Sequence, residues 1–326
     1  MKDRDNYIDI LKSIGLLCII IAHINPPEIV FRIRNFDVVL MILISANLAI
    51  KSKKINNWKK YAFIRFKRLI LPTWIFLIIF FIINIFSRFI DLSLKNILLS
   101  FALSNYGIGY VWIIRIYFMI SLIVLLFKLL QNKINIKVIY IMSILLYILY
   151  EILFKLNAFN NIIIDYLFAY IIPCILLVTI SEKMFNDKRC NIIITSISLI
   201  IFATYTIYKY IVDGIIISTQ VFKYPFRFYY LSYGIFVTGL LIMLTKNKKL
   251  YNISENRFLK YVSENSLWIY LWHILILYSL NAFKFTWYIK LIIVIILSLM
   301  IVYIQKKIVN IIEKKVSNKS IVNIFK

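Results

Sequence analysis

Ionisable side chains stand inside apolar runs of this sequence, among them Asp9, Lys12, His23, Arg115, Glu151, Asp165, Lys209, His273 and Lys290. Each is expensive in hydrocarbon unless it is paired or faces a cavity, so these positions are where chemistry is sought first. His23 and His273 are the two histidines of the chain, and both fall in apolar runs. Imidazole is the side chain best matched to proton transfer near neutral pH, which makes each a candidate general base or nucleophile. Metal binding is the competing use. No Cys or carboxylate stands at ligand spacing from either histidine, so no metal is expected.

The first run, Tyr7 to His23, concentrates these residues. Asp9 and Lys12 are three apart and share a helix face. Lys12 and His23 are eleven apart, which returns to the same face about 16 Å further along a helix. Asp9, Lys12 and His23 therefore form one polar stripe on an otherwise apolar helix. The remaining ionisable groups have simpler readings. Lys209, Lys290 and Glu151 lie near run ends, where long side chains reach the interface. Arg115 and Asp165 can pair with each other across helices.

A second constellation is Arg65, Arg68 and Pro72 in the stretch Tyr61–Trp74. The two arginines share a helix face, and Pro72 is expected in the first turn of the following span, where proline is tolerated. Much of this charge is a positively charged anchor beside a membrane. A paired-arginine face also suits phosphate groups.

The elements that must position these residues are membrane helices. Of the 326 residues, 62% are hydrophobic and 16% charged, whereas a soluble domain sits nearer half and a quarter. The apolar runs approach bilayer length and are apolar all round, which selects helices over barrel strands. The expected fold is all-α: a polytopic bundle of about ten transmembrane helices forming a single domain, 1–326. The spans are read as 7–25, 36–50, 69–87, 110–129, 136–154, 161–180, 191–211, 228–245, 264–283 and 286–305, the second and ninth being the weakest. With the N-terminus inside, 27 of the 39 basic residues fall in inside segments and eight in outside loops. That asymmetry predicts both termini in the cytoplasm. The net charge of +25 is explained the same way, so nucleic acid is not an expected partner. The three cysteines, Cys18, Cys174 and Cys190, form no disulfide framework. The first run has no small-residue cleavage site and is read as a span, not a signal peptide.

Taken together, these residues resemble the acyltransferase 3 family of integral membrane O-acyltransferases. That family opens with Asp-x-x-Arg/Lys and a His eleven residues after the basic residue, matched by Asp9, Lys12 and His23. Its Arg-x-x-Arg with a following Pro resembles Arg65, Arg68 and Pro72. A Tyr-Gly-x-Gly-x-x-Trp stretch matches Tyr106–Trp112, and Tyr-Leu-x-His matches Tyr270–His273. Lys223–Tyr233 is similar to a segment of the fucose 4-O-acetylase-like branch. Lys12 stands where Arg is commoner, and Ser13 where Gly is usual. The match runs nearly the whole length, in the family's order.

The resemblance implies a multi-pass protein of a bacterial cell membrane. It implies transfer of an acyl group, usually acetyl, from acyl-CoA to a hydroxyl of a cell-surface glycan or lipid-linked sugar. Lys12, Arg65 and Arg68 are then expected to hold CoA. His23 serves as base or acyl carrier, with Asp9 and Lys12 organising the cavity beside it. Arg115, Trp112, Tyr270 and His273 are candidates for substrate contact or for stabilising the oxyanion. The rival expectation is a transporter or flippase for a lipid-linked sugar, since charged residues in spans also mark substrate pathways. Such sites are often built from broken helices in repeated halves, and no repeat is visible here.

Overall fold

A computed structural model describes residues 6–52, 57–156, 162–247, 256–315 and Phe325, with only the backbone described at 162–168. Among these residues the chain is all-helical, without strands. In order the helices are α1 (Asn6–His23), α2 (Glu28–Ile33), α3 (Asp37–Lys51), α4 (Trp58–Ser87), α5 (Leu94–Phe101) and α6 (Trp112–Gln131). There follow α7 (Ile136–Lys155), α8 (Ile162–Asn186), α9 (Lys188–Asp213), a 3-10 turn (Thr219–Phe222), α10 (Phe228–Thr245), α11 (Arg257–Glu264), α12 (Ser266–Leu280) and α13 (Trp287–Lys315). Eight described helices are long and apolar enough to cross a membrane: α1, α4, α6, α7, α8, α9, α10 and α13.

The second and ninth expected spans are the two shorter helices. α3 and α12 have 15 residues each, about 22 Å at 1.5 Å per residue. Each continues across a break into a short helix, α2 before α3 and α11 before α12. The first break holds Arg34, Asn35 and Phe36, and the second holds Asn265. Both short helices lie inside the bundle: α3 packs on α1, α6, α8 and α10, and α12 on α1, α4 and α13. The periphery is different. In the spanning windows of α7, α9 and α13 only 17% of residues are buried, against 61% in α8. Those outer helices present Ile and Leu side chains outward, as the bilayer requires.

Close approach at the centre depends on glycine. A Cβ on Gly15 of α1 would lie 2.7 Å from Met41 Sδ of α3, and one on Gly234 of α10 would lie 2.5 Å from Val39 Cγ2. A side chain at Gly234 would press on the branched Val39 side chain close to the α3 backbone, whereas one at Gly15 would displace the Met41 side chain.

The alternation of the helices is visible in end contacts. Lys246, just after α10, donates to Phe185 O near the end of α8 at 2.6 Å, and its ammonium stands 5.1 Å from the ring of Tyr7 at the start of α1. Lys128 near the end of α6 donates to Ser52 O, just past α3, at 2.9 Å. Lysines thus meet outgoing carbonyls at helix C-termini, a favourable position for cations. The starts of α1 and the ends of α3, α6, α8 and α10 therefore share one end of the bundle, called here the Asn6 end.

One sequence expectation needs correction. Pro72 is not in a first helical turn. α4 begins at Trp58, so Pro72 lies in mid-helix and removes the hydrogen bond to the carbonyl of Arg68. The helix continues through the basic stretch because Tyr61, Arg65 and Phe66 pack against the bundle, with the Arg65 guanidinium 5.1 Å from the Tyr61 ring.

Candidate active site

His23 is the last residue of α1, and His273 lies in the middle of α12. Their rings stack with centroids 5.2 Å apart and planes 9° from parallel. His23 Nδ1 and His273 Nε2 are 2.9 Å apart, in hydrogen-bond range. His273 Nδ1 is bonded in turn to the carbonyl of Tyr270, one turn earlier. A carbonyl only accepts, so Nδ1 of His273 carries the proton. In a neutral imidazole the other nitrogen is then the acceptor. His273 Nε2 therefore accepts from His23 Nδ1–H, and the lone pair of His23 is placed on Nε2. This carbonyl–His273–His23 chain fixes both tautomers. It resembles in logic the orienting group behind a catalytic histidine. His273 is fully buried, whereas His23 is partly exposed.

The surroundings of this pair come from three loops. The ring of Tyr110 lies 4.5 Å from that of His23, and its carbonyl accepts from the Tyr270 hydroxyl. The loop carrying Tyr110 turns at Gly107, whose φ of 72° favours glycine and where a Cβ would meet Ser100 Oγ at 2.4 Å. Trp112 opens α6 with its ring 5.2 Å from that of Tyr224. The break between α2 and α3 is stitched to the 3-10 turn by Asn35 Nδ2, which donates to Thr219 Oγ1 at 2.7 Å.

Two cavities flank Tyr270. The one at the His23 end has a volume of about 80 Å³ and is lined by His23, Arg34, Asp37, Trp112, Lys223 and Tyr270, among others. The other opens toward the Asn6 end, has about 200 Å³, and is lined by Lys12, Ser45, Arg65, Tyr117, Ser121 and Tyr270, among others. Ile19 and Tyr270 line both and so form the wall between them.

The smaller cavity contains an ion cluster. Arg34 Nη1 donates to Asp37 Oδ2 at 2.8 Å, and Lys223 Nζ stands 3.4 Å from Asp37 Oδ1. Their side chains are 4%, 1% and 4% exposed respectively for Arg34, Asp37 and Lys223. Asp37 also accepts from the Val38 amide in the first turn of α3, where a carboxylate suits the helix dipole. Burial pushes the Lys223 ammonium down to about 8; the Asp37 carboxylate opposes this and the Arg34 charge reinforces it.

The acyltransferase-domain family model matches residues 5–304. The chain belongs to that family and is a membrane acyltransferase. No curated protein and no solved structure matches it.

Placed in this acyltransferase, the expected site residues separate into groups. His23, Tyr270 and Trp112 line the smaller cavity, and His273 stands behind His23. Lys12 and Arg65 converge on the larger one. Asp9 is buried at the Asn6 end, where its carboxylate accepts from Ser263 Oγ of α11 at 2.6 Å. Arg68 is exposed, one turn beyond Arg65. Arg115 points elsewhere: it is buried against α8, with its guanidinium 5.5 Å from the Tyr170 ring and 3.5 Å from Asn105 Oδ1. The side chain of Asp165, its expected partner, lies outside the described residues. Glu151 is a helix cap: it accepts from Arg227 Nε and from the Phe228 amide that opens α10, both at 2.7 Å.

The acyltransferase also holds charges that sequence reasoning did not select. Arg34 entered only as loop charge, Lys223 as loop charge and as the first residue of the Lys223–Tyr233 stretch, and Asp37 was not singled out. The available signal was Arg34 and Asp37 at i, i+3 spacing beside the start of a short apolar run.

Proposed function

We propose that this acyltransferase moves an acetyl group from acetyl-CoA to a hydroxyl of a cell-surface glycan or lipid-linked sugar, with His23 as the reacting base. The observation that carries this reading is the oriented His23–His273 pair, with His23 lining the smaller cavity on one side of the Ile19–Tyr270 wall. In this reading the Asn6 end faces the cytoplasm, where CoA is made, and the excess of basic residues there fits that orientation. Arg65, with Arg68 at the mouth, attracts the CoA phosphates. The pantetheine arm runs past Lys12 toward Tyr270, and the acceptor enters from the His23 end.

In the transfer step the acceptor hydroxyl attacks the thioester carbonyl while His23 Nε2 takes its proton. The tetrahedral intermediate collapses, the C–S bond breaks, and the CoA thiolate recovers the proton from His23. The relay through His273 holds Nδ1 as the donor, so Nε2 remains the basic atom throughout. A covalent variant has Nε2 attack the thioester first and hand the acetyl group to the acceptor in a second step. The two routes use the same residues.

The test uses membrane vesicles containing the protein, acetyl-CoA labelled in the acetyl group, and the surface glycan of the producing cell. Label in the glycan, dependent on the protein, is the expected result. Acyl-CoA-independent movement of a lipid-linked sugar, with no label transferred, would instead establish a transporter.

A further inference from the structure

The cavity beside His23 carries more positive charge than its own residues neutralise. Arg34 and Lys223 are both cationic, and Asp37 is the single carboxylate among the residues lining it. One carboxylate and one arginine would complete a balanced pair across the α2–α3 break. Lys223 is the additional charge, brought from the far side of the cavity by the segment between α9 and α10. Its ammonium has only a 3.4 Å contact to Asp37 and stands 5.8 Å from the rings of Tyr224 and Tyr230. Arg34 is also incompletely used: its buried Nε has no hydrogen-bond partner. A buried surplus cation and an unused guanidinium donor are costly, and an anion seated there would neutralise the one and accept from the other.

We propose that the cavity formed by Arg34, Asp37 and Lys223 beside His23 receives an anionic group of the acceptor, a carboxylate or phosphate carried close to the hydroxyl that is acylated. This deepens the acyl-transfer reading and rests on it for the identity of the acceptor, although the anion site can be tested without any acyl donor. The cavity of about 80 Å³ accommodates a group of carboxylate or phosphate size but not a whole hexose. The anion would therefore act as an anchor, with the rest of the sugar toward the open side. Arg34 is suited to this because its planar fork can keep Asp37 on one edge and offer Nε to a ligand. Lys223 supplies a second, movable donor.

The test measures thermal unfolding of the purified full-length protein in detergent, without acetyl-CoA. The probes are glucuronate, glycerol phosphate and glucose, with ionic strength matched by sodium chloride. The proposal expects glucuronate, glycerol phosphate or both to raise the Tm in a saturable manner, and glucose to leave it unchanged. A response to glucuronate alone assigns a carboxylate, and one to glycerol phosphate alone assigns a phosphate. The Lys223→Gln variant should weaken the response at least about tenfold in probe concentration, and Lys223→Arg should restore it. Equal responses to glucose and the anions, or an undiminished response in Lys223→Gln, would overturn the proposal. Should Lys223→Gln fail to fold, the comparison of anions with glucose on the wild-type protein decides alone. Failure of acetyl-CoA-dependent labelling would refute the acyl-transfer reading but would leave this binding result standing.

Discussion

The two cavities on either side of Tyr270 are built differently. The larger one, with Lys12 and Arg65, lies between the flanks of α1, α3, α4, α6 and α12, and its basic side chains are only partly buried. The smaller one is made from a helix break, a 3-10 segment and the end of α1, and its charges are almost completely enclosed. The larger cavity suits a flexible arm that enters and leaves with its own hydration. The smaller one suits a group that is desolvated and held in a fixed place. On the proposed reading the donor takes the larger cavity and the acceptor the smaller, which makes the two sides separable by kinetics.

The largest effect expected from a residue behind the reacting base is at His273. Removing its ring in His273→Ala leaves His23 Nδ1 without an acceptor and frees the wrong tautomer. A kcat lower by about 10²-fold is expected, within the range for general base catalysis, with a displaced pH profile. His273→Gln retains an acceptor oxygen and should recover part of the loss. An unaltered pH profile in both variants would mean that His273 only fills space.

Next comes the acceptor side. Lys223→Gln removes a charge-assisted hydrogen bond worth about 1.5–3 kcal/mol in a buried site. That corresponds to a KM for an anionic acceptor raised at least about tenfold, with the KM for acetyl-CoA unchanged. The donor side should give the mirror image at smaller size. Arg65→Ala is expected to raise the KM for acetyl-CoA about fivefold, since a partly exposed ion contact is worth about 1 kcal/mol at most. Its acceptor KM should stay the same. Arg68→Ala should have a smaller effect because the side chain is exposed. Parallel changes in both KM values from either variant would break the division between the cavities.

The smallest effect concerns pH. Lys223 faces Arg34 and Asp37 from the α2–α3 break, Tyr224 and Tyr230 from its own segment and α10, and His23 from α1. Its folded-state value near 8 lies below the ordinary lysine range. The unfolded chain therefore binds more protons than the folded one between about 8 and the ordinary lysine value. Stability contributed by this group rises with pH across that window. Anion binding runs the other way, because it needs the ammonium. Retention of glucuronate or glycerol phosphate should fall as pH rises through about 8, and Lys223→Arg should hold it to higher pH.

Much of this arrangement was legible in the sequence. The eight long helices announce themselves because lipid demands unbroken apolar runs. The Asp9–Lys12–His23 stripe follows from helical period alone. In the structure Lys12 lines the larger cavity and His23, eleven residues further along α1, lines the smaller one. The contact between His23 and His273 spans 250 positions and is written in no local pattern. The rarity of histidine and the family-like motifs at His23 and Tyr270–His273 pointed to both residues, but not to their contact. The Arg34–Asp37–Lys223 cluster was hidden for a related reason. Counting loop lysines and arginines for topology assumes that they are solvated, and these two fold back under the helix break instead. The same break shortens α3, which is why the second span was weak in hydropathy while holding part of the site. Arg115 shows the reverse case: a charge in the first turn of α6 packs on the Tyr170 ring of α8 and does not line the smaller cavity.

The central claim is that His23 performs the transfer. Its most direct test is the initial rate of label transfer from acetyl-CoA to the glycan in vesicles holding equal amounts of wild-type and His23→Ala protein. The account predicts a rate lower by at least about 10²-fold in the variant, with the protein still folded in the membrane. Equal rates would contradict it.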